Sequence, residues 1–210
     1  TFTDAEFKRR QKVASDKLSA LYTAVGARPS TYYAILALDG DNMGRHVDNL
    51  LADPNDPLAA HTAFSRRLDV FGRQARAVIE AAMGSAVYSG GDDVLALIPL
   101  ENAIPKALEL LDLFHATTVD ARASAGIAVV HHTYPLDAAL RAARAAEQAA
   151  KHTPTKDSLC VRVLKRSGEI VQVITRRAAA RACPVSFASL TADFQGRPSP
   201  LSGRLPYAVQ

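Results

Sequence analysis

The hexapeptide Tyr88-Ser89-Gly90-Gly91-Asp92-Asp93 lies between two short apolar runs, Ser85-Ala86-Val87 and Val94-Leu95-Ala96-Leu97-Ile98. Strand-forming runs separated by a Gly-Gly pair predict a β-hairpin, which commits this part of the chain to an antiparallel sheet. The glycines permit a positive-φ turn and leave room for a ligand to approach the backbone. Two adjacent aspartates repel each other unless a cation joins them. Their hard oxygens favour Mg2+ or Mn2+ over zinc. Gly and Asp are also ordinary turn residues, so the hairpin by itself suits a surface turn equally well.

A second polar cluster changes that balance. Tyr32-Tyr33-Ala34-Ile35-Leu36-Ala37-Leu38 is a near-continuous apolar run, as expected of a strand covered on both faces. It leads directly into Asp39-Gly40-Asp41-Asn42-Met43-Gly44, at the C-terminal end of the strand, where open α/β sheets bind ligands. Residues 45–51 read as a short helix, so the backbone amides of residues 42–45 could face a triphosphate. The same aspartates could instead cap that helix.

The rest of the chain supplies a frame for these two clusters. Its 210 residues, 48% hydrophobic and 22% charged, suffice for one substantial core. Helical periodicity marks residues 4–22, with Phe7, Val13, Leu18 and Leu21 recurring among basic residues, and 26–30 break that helix. Residues 58–83 form a longer helix with a Phe64, Leu68, Phe71, Ala75, Val78, Ile79 stripe and a stop at Gly84. Residues 102–119 and the alanine-rich 135–151 read as further helices, and 124–130 as a core strand. A second hairpin joins 159–164 to 170–174. Beyond 176 the pattern weakens to helical stretches at 178–182 and 187–194 and a Pro-, Gly- and Ser-rich end. His131 and His132 are expected on opposite faces of a strand, which argues against a shared ion.

Composition narrows the function. The net charge of +4 suits nucleotides or nucleic acid. Absence of Trp and an aromatic content of 6% argue against a base-stacking platform. Cys160 and Cys183 lack zinc-site spacing, so a cytoplasmic location is expected. No apolar run is long enough to span a bilayer, so no membrane partner is expected, and Thr1-Phe2-Thr3-Asp4 reads as the start of a piece of a longer polypeptide.

The order strand, helix, helix, hairpin, helix, strand, helix, hairpin predicts an α+β layer: a mixed, mainly antiparallel sheet with helices mainly on one face. If the first strand neighbours the hairpin, Asp39 meets Asp92 or Asp93 across strands about 4.8 Å apart. That arrangement suits two-metal phosphoryl transfer.

These residues resemble the nucleotide-cyclase palm shared by GGDEF diguanylate cyclases and family B-type polymerase palms. More narrowly, Leu38-Asp39-Gly40-Asp41-Asn42-Met43-Gly44, Tyr88-Ser89-Gly90-Gly91-Asp92-Asp93, Ser124-Ala125-Gly126-Ile127-Ala128 and Lys165-Arg166-Ser167-Gly168-Glu169 together resemble the large palm-containing subunit of type III CRISPR effector complexes. The III-B (Cmr) form is the most similar. The resemblance covers residues 32–174 and implies a ferredoxin-like palm at 31–176, after a helical segment at 1–30 and before the start of a helical C-terminal region at 177–210. No HD nuclease domain, zinc-binding cysteine group or first palm accompanies it, so the chain is expected to be either a fragment or a small stand-alone palm.

The resemblance implies a synthase of cyclic oligoadenylates from ATP, switched on when the complex binds target RNA. It implies that Asp39 and Asp92 hold metal with the Gly40 carbonyl, that Asp93 is a second turn carboxylate ranked below Asp92, and that two Mg2+ or Mn2+ ions act. Asn42, Met43 and Gly44 would present amides to phosphates, Ser89, Gly90 and Gly91 would make room for the nucleotide, and Lys151 would bind phosphate. Asp41 would either join the second metal or cap the helix. The implied partners are the other subunits of the complex, guide and target RNA indirectly, and a second copy of the chain if it stands alone. The alternatives are a non-catalytic nucleotide-binding scaffold of a ribonucleoprotein complex and a stand-alone dinucleotide cyclase.

Overall fold

A computed structural model of the chain describes residues 3–26, 30–52, 56–119 and 121–182. The expected short helix at 187–194 and Cys183 lie outside the described residues. The chain divides into two units, Thr1–Thr31 and Tyr32–Gln210.

The first unit holds one helix, α1 (Asp4–Val25). Thr3 caps it by accepting from the Glu6 N–H, and left-handed Gly26 ends it by donating to the Tyr22 carbonyl at 3.0 Å. Exposed ion pairs one turn apart, Lys8 with Asp4 and Arg10 with Glu6, line its surface. Within this unit Phe7, Val13, Leu18 and Leu21 are all exposed.

The second unit runs β1 (Tyr32–Asp41), α2 (Met43–Leu51), α3 (Pro57–Ala81), β2 (Ser85–Gly90), β3 (Asp93–Pro99) and α4 (Leu100–Thr118). It continues through β4 (Arg122–His131), α5 (Leu136–Lys151), β5 (Ser158–Leu164), β6 (Ile170–Arg176) and α6 (Arg177–Ala182). The strands form one sheet in the order β2-β3-β1-β4-β5-β6. Only the β4–β5 pair is parallel, joined through α5; the other pairings are antiparallel. Strands β1 to β4 with their helices give the expected ferredoxin-like palm within an α+β fold.

Both faces of the sheet are covered, which explains why β1 and β4 read as unbroken apolar runs. Leu36, Leu38, Val94, Ile98 and Ile127 pack with Phe71, Ile79, Leu111 and Phe114 of α3 and α4 on one face. The rings of Phe71 and Phe114 meet edge to face with centroids 4.9 Å apart. Ile35, Ala37, Ala128 and Val130 pack with Ala139 and Ala143 of α5 on the other. Among the described residues of this unit, helices therefore lie mainly on one face, with α5 opposite. No helix among the described residues is long and apolar enough to cross a membrane.

The histidine pair departs from the sequence expectation. Strand β4 ends at His131, so the alternation of faces no longer applies at His132, and the two rings lie side by side, tilted by 31° with centroids 4.4 Å apart. His131 Nδ1 is engaged with Thr133 Oγ1 at 2.8 Å.

Candidate metal and nucleotide site

Strand order brings the two acidic clusters together. β1 lies beside β3, with Asp39 directly opposite Asp93, and the Gly40 N–H donates to the Asp92 carbonyl at 3.1 Å. Gly91 adopts φ +59° at the hairpin tip, with open space where a side chain would project. Gly40 has no such space. A Cβ there would lie 2.7 Å from Met43 Sδ and 2.9 Å from Asp92 Cβ, so the bare backbone lets Met43 and Asp92 close over the strand end.

The three carboxylates have different partners. Asp39 pairs with Lys151, whose Nζ also donates to the Gly40 carbonyl at 3.0 Å. Lys151 is held from behind by buried Glu147, 3.5 Å away on the same helix. Desolvation pulls the Lys151 ammonium down, but Asp39 and Glu147 outweigh it and leave the group above its usual range. Asp93 accepts a fork from Arg144 on α5, at 3.2 and 3.4 Å. Asp92 makes no ion pair among the described residues. Burial pushes its carboxyl above the usual range, and the Asp39 and Asp93 carboxylates push it further in the same direction. Asp92 is thus the carboxylate that lacks a counter-ion.

Two carboxylates, a main-chain carbonyl and an ammonium already seated on two of those oxygens form a hard-oxygen cradle of the kind Mg2+ and Mn2+ take. Among the described residues no three His, Cys, Asp or Glu side chains converge on one point. A divalent ion here would complete its shell with water or phosphate oxygens, as Mg2+ commonly does.

Asp41 is almost fully buried and does not cap α2. Its Oδ2 accepts from Ser124 Oγ and from the Asp157 N–H, both at 3.0 Å, while Oδ1 has no partner. Burial raises its pKa despite those bonds. The α2 N-cap position falls to Asn42, left-handed at φ 55°, whose Oδ1 accepts from Lys156 Nζ at 2.7 Å. Beside it lies a pocket of about 200 Å³ lined by Asp41, Asn42, Arg45, Arg122 and Lys156. The amides of Met43 and Gly44 open the first turn of α2, where main-chain N–H groups are unpaired within the helix. The Met43 side chain instead packs against the core.

Ser89 and Gly90 line a second cleft, of about 170 Å³, with Gly72, Arg73 and Arg76 of α3. The Ser89 hydroxyl is turned toward α3 and donates to the Gly72 carbonyl at 2.8 Å. Ser89→Ala should lower stability by about 1 kcal/mol, or about 3 °C in a thermal melt, by freeing the hairpin from α3.

Several residues around the site had no local motif. Arg144, Glu147 and Lys151 recur on α5 at helical spacing, but so do the exposed Asp137 and Arg141, so the spacing alone does not single out the residues at the site. Arg122 and Lys156 arrive from β4 and the α5–β5 turn, and no sequence pattern links them to residues 39–44.

Comparison with known proteins identifies the family to which this fold belongs. Residues 32–160 match the model of the Cas10/Cmr2 second palm domain. The chain is 34% identical over 189 residues to the CRISPR system Cmr subunit Cmr2 of Pyrococcus furiosus, covering 77% of this chain and 22% of that protein. It is 29% identical over 147 residues to the CRISPR system single-strand-specific deoxyribonuclease Cas10/Csm1 (subtype III-A) of Mycobacterium tuberculosis, covering 60% of this chain and 18% of that one. It therefore spans about a fifth of the length of the curated relatives it matches. The Csm1-Csm4 cassette in complex with cA4 shares the fold at a TM-score of 0.52 and 19% identity, over 63% of this chain and 20% of that one. From residue 32 to 160, the sheet and its acidic strand end included, the chain belongs to the Cas10/Cmr2 second palm domain family.

Proposed function

We propose that the chain is the catalytic palm of a metal-dependent nucleotidyltransferase that converts ATP into cyclic oligoadenylates in type III CRISPR antiviral defence. The observation that carries this reading is the meeting of Asp39, the Gly40 carbonyl and counter-ion-free Asp92 beside a cationic pocket at the start of α2. Asp39, Asp92 and the Gly40 carbonyl would hold Mg2+ or Mn2+, and Asp93 would join them when Arg144 releases it. Two such ions would neutralise the triphosphate and make the attacking 3′-hydroxyl more acidic.

The chain's own residues would place the reactants. The Met43 and Gly44 amides, with Arg45, Arg122 and Lys156, would bind phosphate oxygens at the N-terminal end of α2. Lys151 would move its hydrogen bonds from Asp39 to phosphate. Ser89, Gly90 and Gly91 would leave the nucleoside space against the hairpin. In each transfer an O3′–Pα bond forms, the bond from Pα to pyrophosphate breaks, and the hydroxyl proton passes to solvent.

Csm1-Csm4 cassettes in complex with one ATP, with pppApA and with cA4 share this fold, which supports ATP as substrate. By the same relation the partners would be other subunits of a cytoplasmic type III effector complex, with guide and target RNA acting indirectly. A second palm would supply the other nucleotide. The test is a complex assembled with the chain in its full-length subunit, given target RNA, labelled ATP and Mn2+. Cyclic oligoadenylate and pyrophosphate should accumulate, and Asp39→Asn should reduce both by at least ~100-fold. Equal product from wild type and Asp39→Asn, or none from wild type, would sink the reading.

A further inference from the structure

The turn that carries Lys156 over the cationic pocket has an unusual backbone. Lys156 and Asp157 are both left-handed, at φ 51° and 46°, and neither is glycine. Consecutive left-handed residues with side chains persist only where their surroundings hold them. Each also touches the junction of β1 and α2. Lys156 Nζ donates to Asn42 Oδ1, and the Asp157 N–H donates to Asp41 Oδ2.

Arg177 is the closer of two arginines that hold this turn, the other being Arg122, whose Nε lies 3.9 Å from Asp157 Oδ2. The Arg177 main-chain N–H donates to the Asp157 carbonyl at 2.9 Å. Its guanidinium forks onto the Asp157 carboxylate, Nε to Oδ1 at 2.8 Å and Nη2 to Oδ2 at 3.0 Å. The remaining Nη1 donates to Asp112 of α4 at 2.8 Å, and Arg181 pairs with the same carboxylate. Arg177 opens α6, a helix with no fully buried residue, and these ion pairs hold it beside the partial packing of Ala180 against the core. Arg177 also lies beyond the residues that match the family model.

We propose that Arg177 is a positioning residue for triphosphate binding: through Asp157 it fixes Lys156 over the pocket and ties the pocket's affinity to the placement of α6. This inference rests on the reading of the pocket as the phosphate site. Displacing α6 would pull the fork from Asp157, release the strained turn, and withdraw both Lys156 and the Asp157 amide from the β1–α2 junction.

The test uses the whole chain, a non-hydrolysable α,β-methylene analogue of ATP, and Mn2+. Arg177→Ala should weaken analogue binding about tenfold, the worth of one charge-assisted contact, while affinity for Mn2+ alone stays within about twofold. Lys156→Ala should cost a similar factor, and the double variant should bind no worse than either single one. Arg177→Lys keeps the charge and the fold but not the fork, and should lose most of the same affinity. In the ligand-free chain, amide exchange at residues 156–158 should quicken about tenfold in Arg177→Ala. Additive losses, or unchanged affinity and exchange, would overturn the inference. Binding weakened by Lys156→Ala but not by Arg177→Ala would overturn the role of Arg177 alone. A wild-type chain that binds no analogue would overturn the pocket reading and this inference with it.

Discussion

Asp92→Asn should make the metal-free chain more stable while cutting its metal-dependent chemistry at least ~100-fold. Asp92 is half-buried, faces the carboxylates of Asp39 and Asp93, and has no counter-ion among the described residues. Asparagine keeps the shape and removes the repelled charge. In EDTA the variant should melt a few degrees above wild type. Adding Mn2+ should raise the melting temperature of wild type and leave that of the variant unchanged. Asp39→Asn should lose metal binding too, but with the opposite effect on the metal-free fold. Asp39 neutralises Lys151, whose side chain is only 15% exposed, so its loss leaves a poorly solvated ammonium. Because Asp39 itself is 32% exposed, the cost should be about 1–2 kcal/mol, less than for a fully buried pair. Two ligand variants that destabilise alike would contradict this division of roles.

The same asymmetry sets a pH dependence. Asp92, Asp41 and Glu147 all have carboxyls raised above their ordinary values, chiefly by burial. A raised carboxyl binds its proton more tightly in the folded state than in the unfolded one. Its stabilising contribution is complete below the unfolded value and is lost as pH rises through the folded value. The metal-free chain should thus lose stability from these groups as pH climbs out of the carboxylate range, and Asp92→Asn should flatten that decline. Divalent ion, which favours the ionised form, should stabilise most where the proton no longer does.

Much of this architecture is legible in the sequence because its signals are local. The Gly90-Gly91 turn, the apolar run before Asp39 and the helical stripe of Phe64, Phe71 and Ile79 each state their own element. Adjacency of β1 and β3 follows from the ferredoxin-like order of elements, and with it the meeting of Asp39 and Asp93. The partners of these carboxylates are different in kind. Arg144 reaches Asp93 and Lys151 reaches Asp39 across 51 and 112 positions, through the placement of α5 on the face opposite α3 and α4. No periodicity encodes which face a crossover helix takes. The sequence offers Asp41 as a ligand of a second metal or as a helix cap, but not as the acceptor of Ser124 and Asp157, because those bonds depend on β4 and β5 pairing in parallel. The histidine pair shows the same limit: the two rings come together because β4 ends at His131, and a strand reading of 124–130 does not fix where the alternation of faces stops.

Gly126→Ala should be the most damaging single-methyl change in the palm. Gly126 sits in β4, opposite Ala37 on one side and Cys160 on the other, directly beneath α5. A Cβ there would lie 2.6 Å from the Ala146 carbonyl carbon and 2.7 Å from the Ala143 carbonyl oxygen. Those atoms are main chain, so no rotamer change relieves the clash and the whole helix must move. Overpacking of this kind costs about 3 kcal/mol or more, roughly 10 °C in melting temperature for a domain of this size. The consequence reaches the site, because Arg144, Glu147 and Lys151 ride on the displaced face. Lys151 should leave Asp39, and analogue binding should fall with it. Cys160 reports the movement directly: it is fully buried with Ala146 and Ala150 of α5, and burial holds its thiol above the usual range. In a Cys183→Ser background, Gly126→Ala should make Cys160 react with a thiol reagent at least ~10-fold faster under native conditions, since reactivity follows access and thiolate fraction. Unchanged labelling together with an unchanged melting temperature would mean that α5 does not rest on Gly126. The glycine in Ser124-Ala125-Gly126-Ile127-Ala128 therefore belongs to the site as much as the aspartates do, since its missing side chain lets α5 bring Lys151 to Asp39.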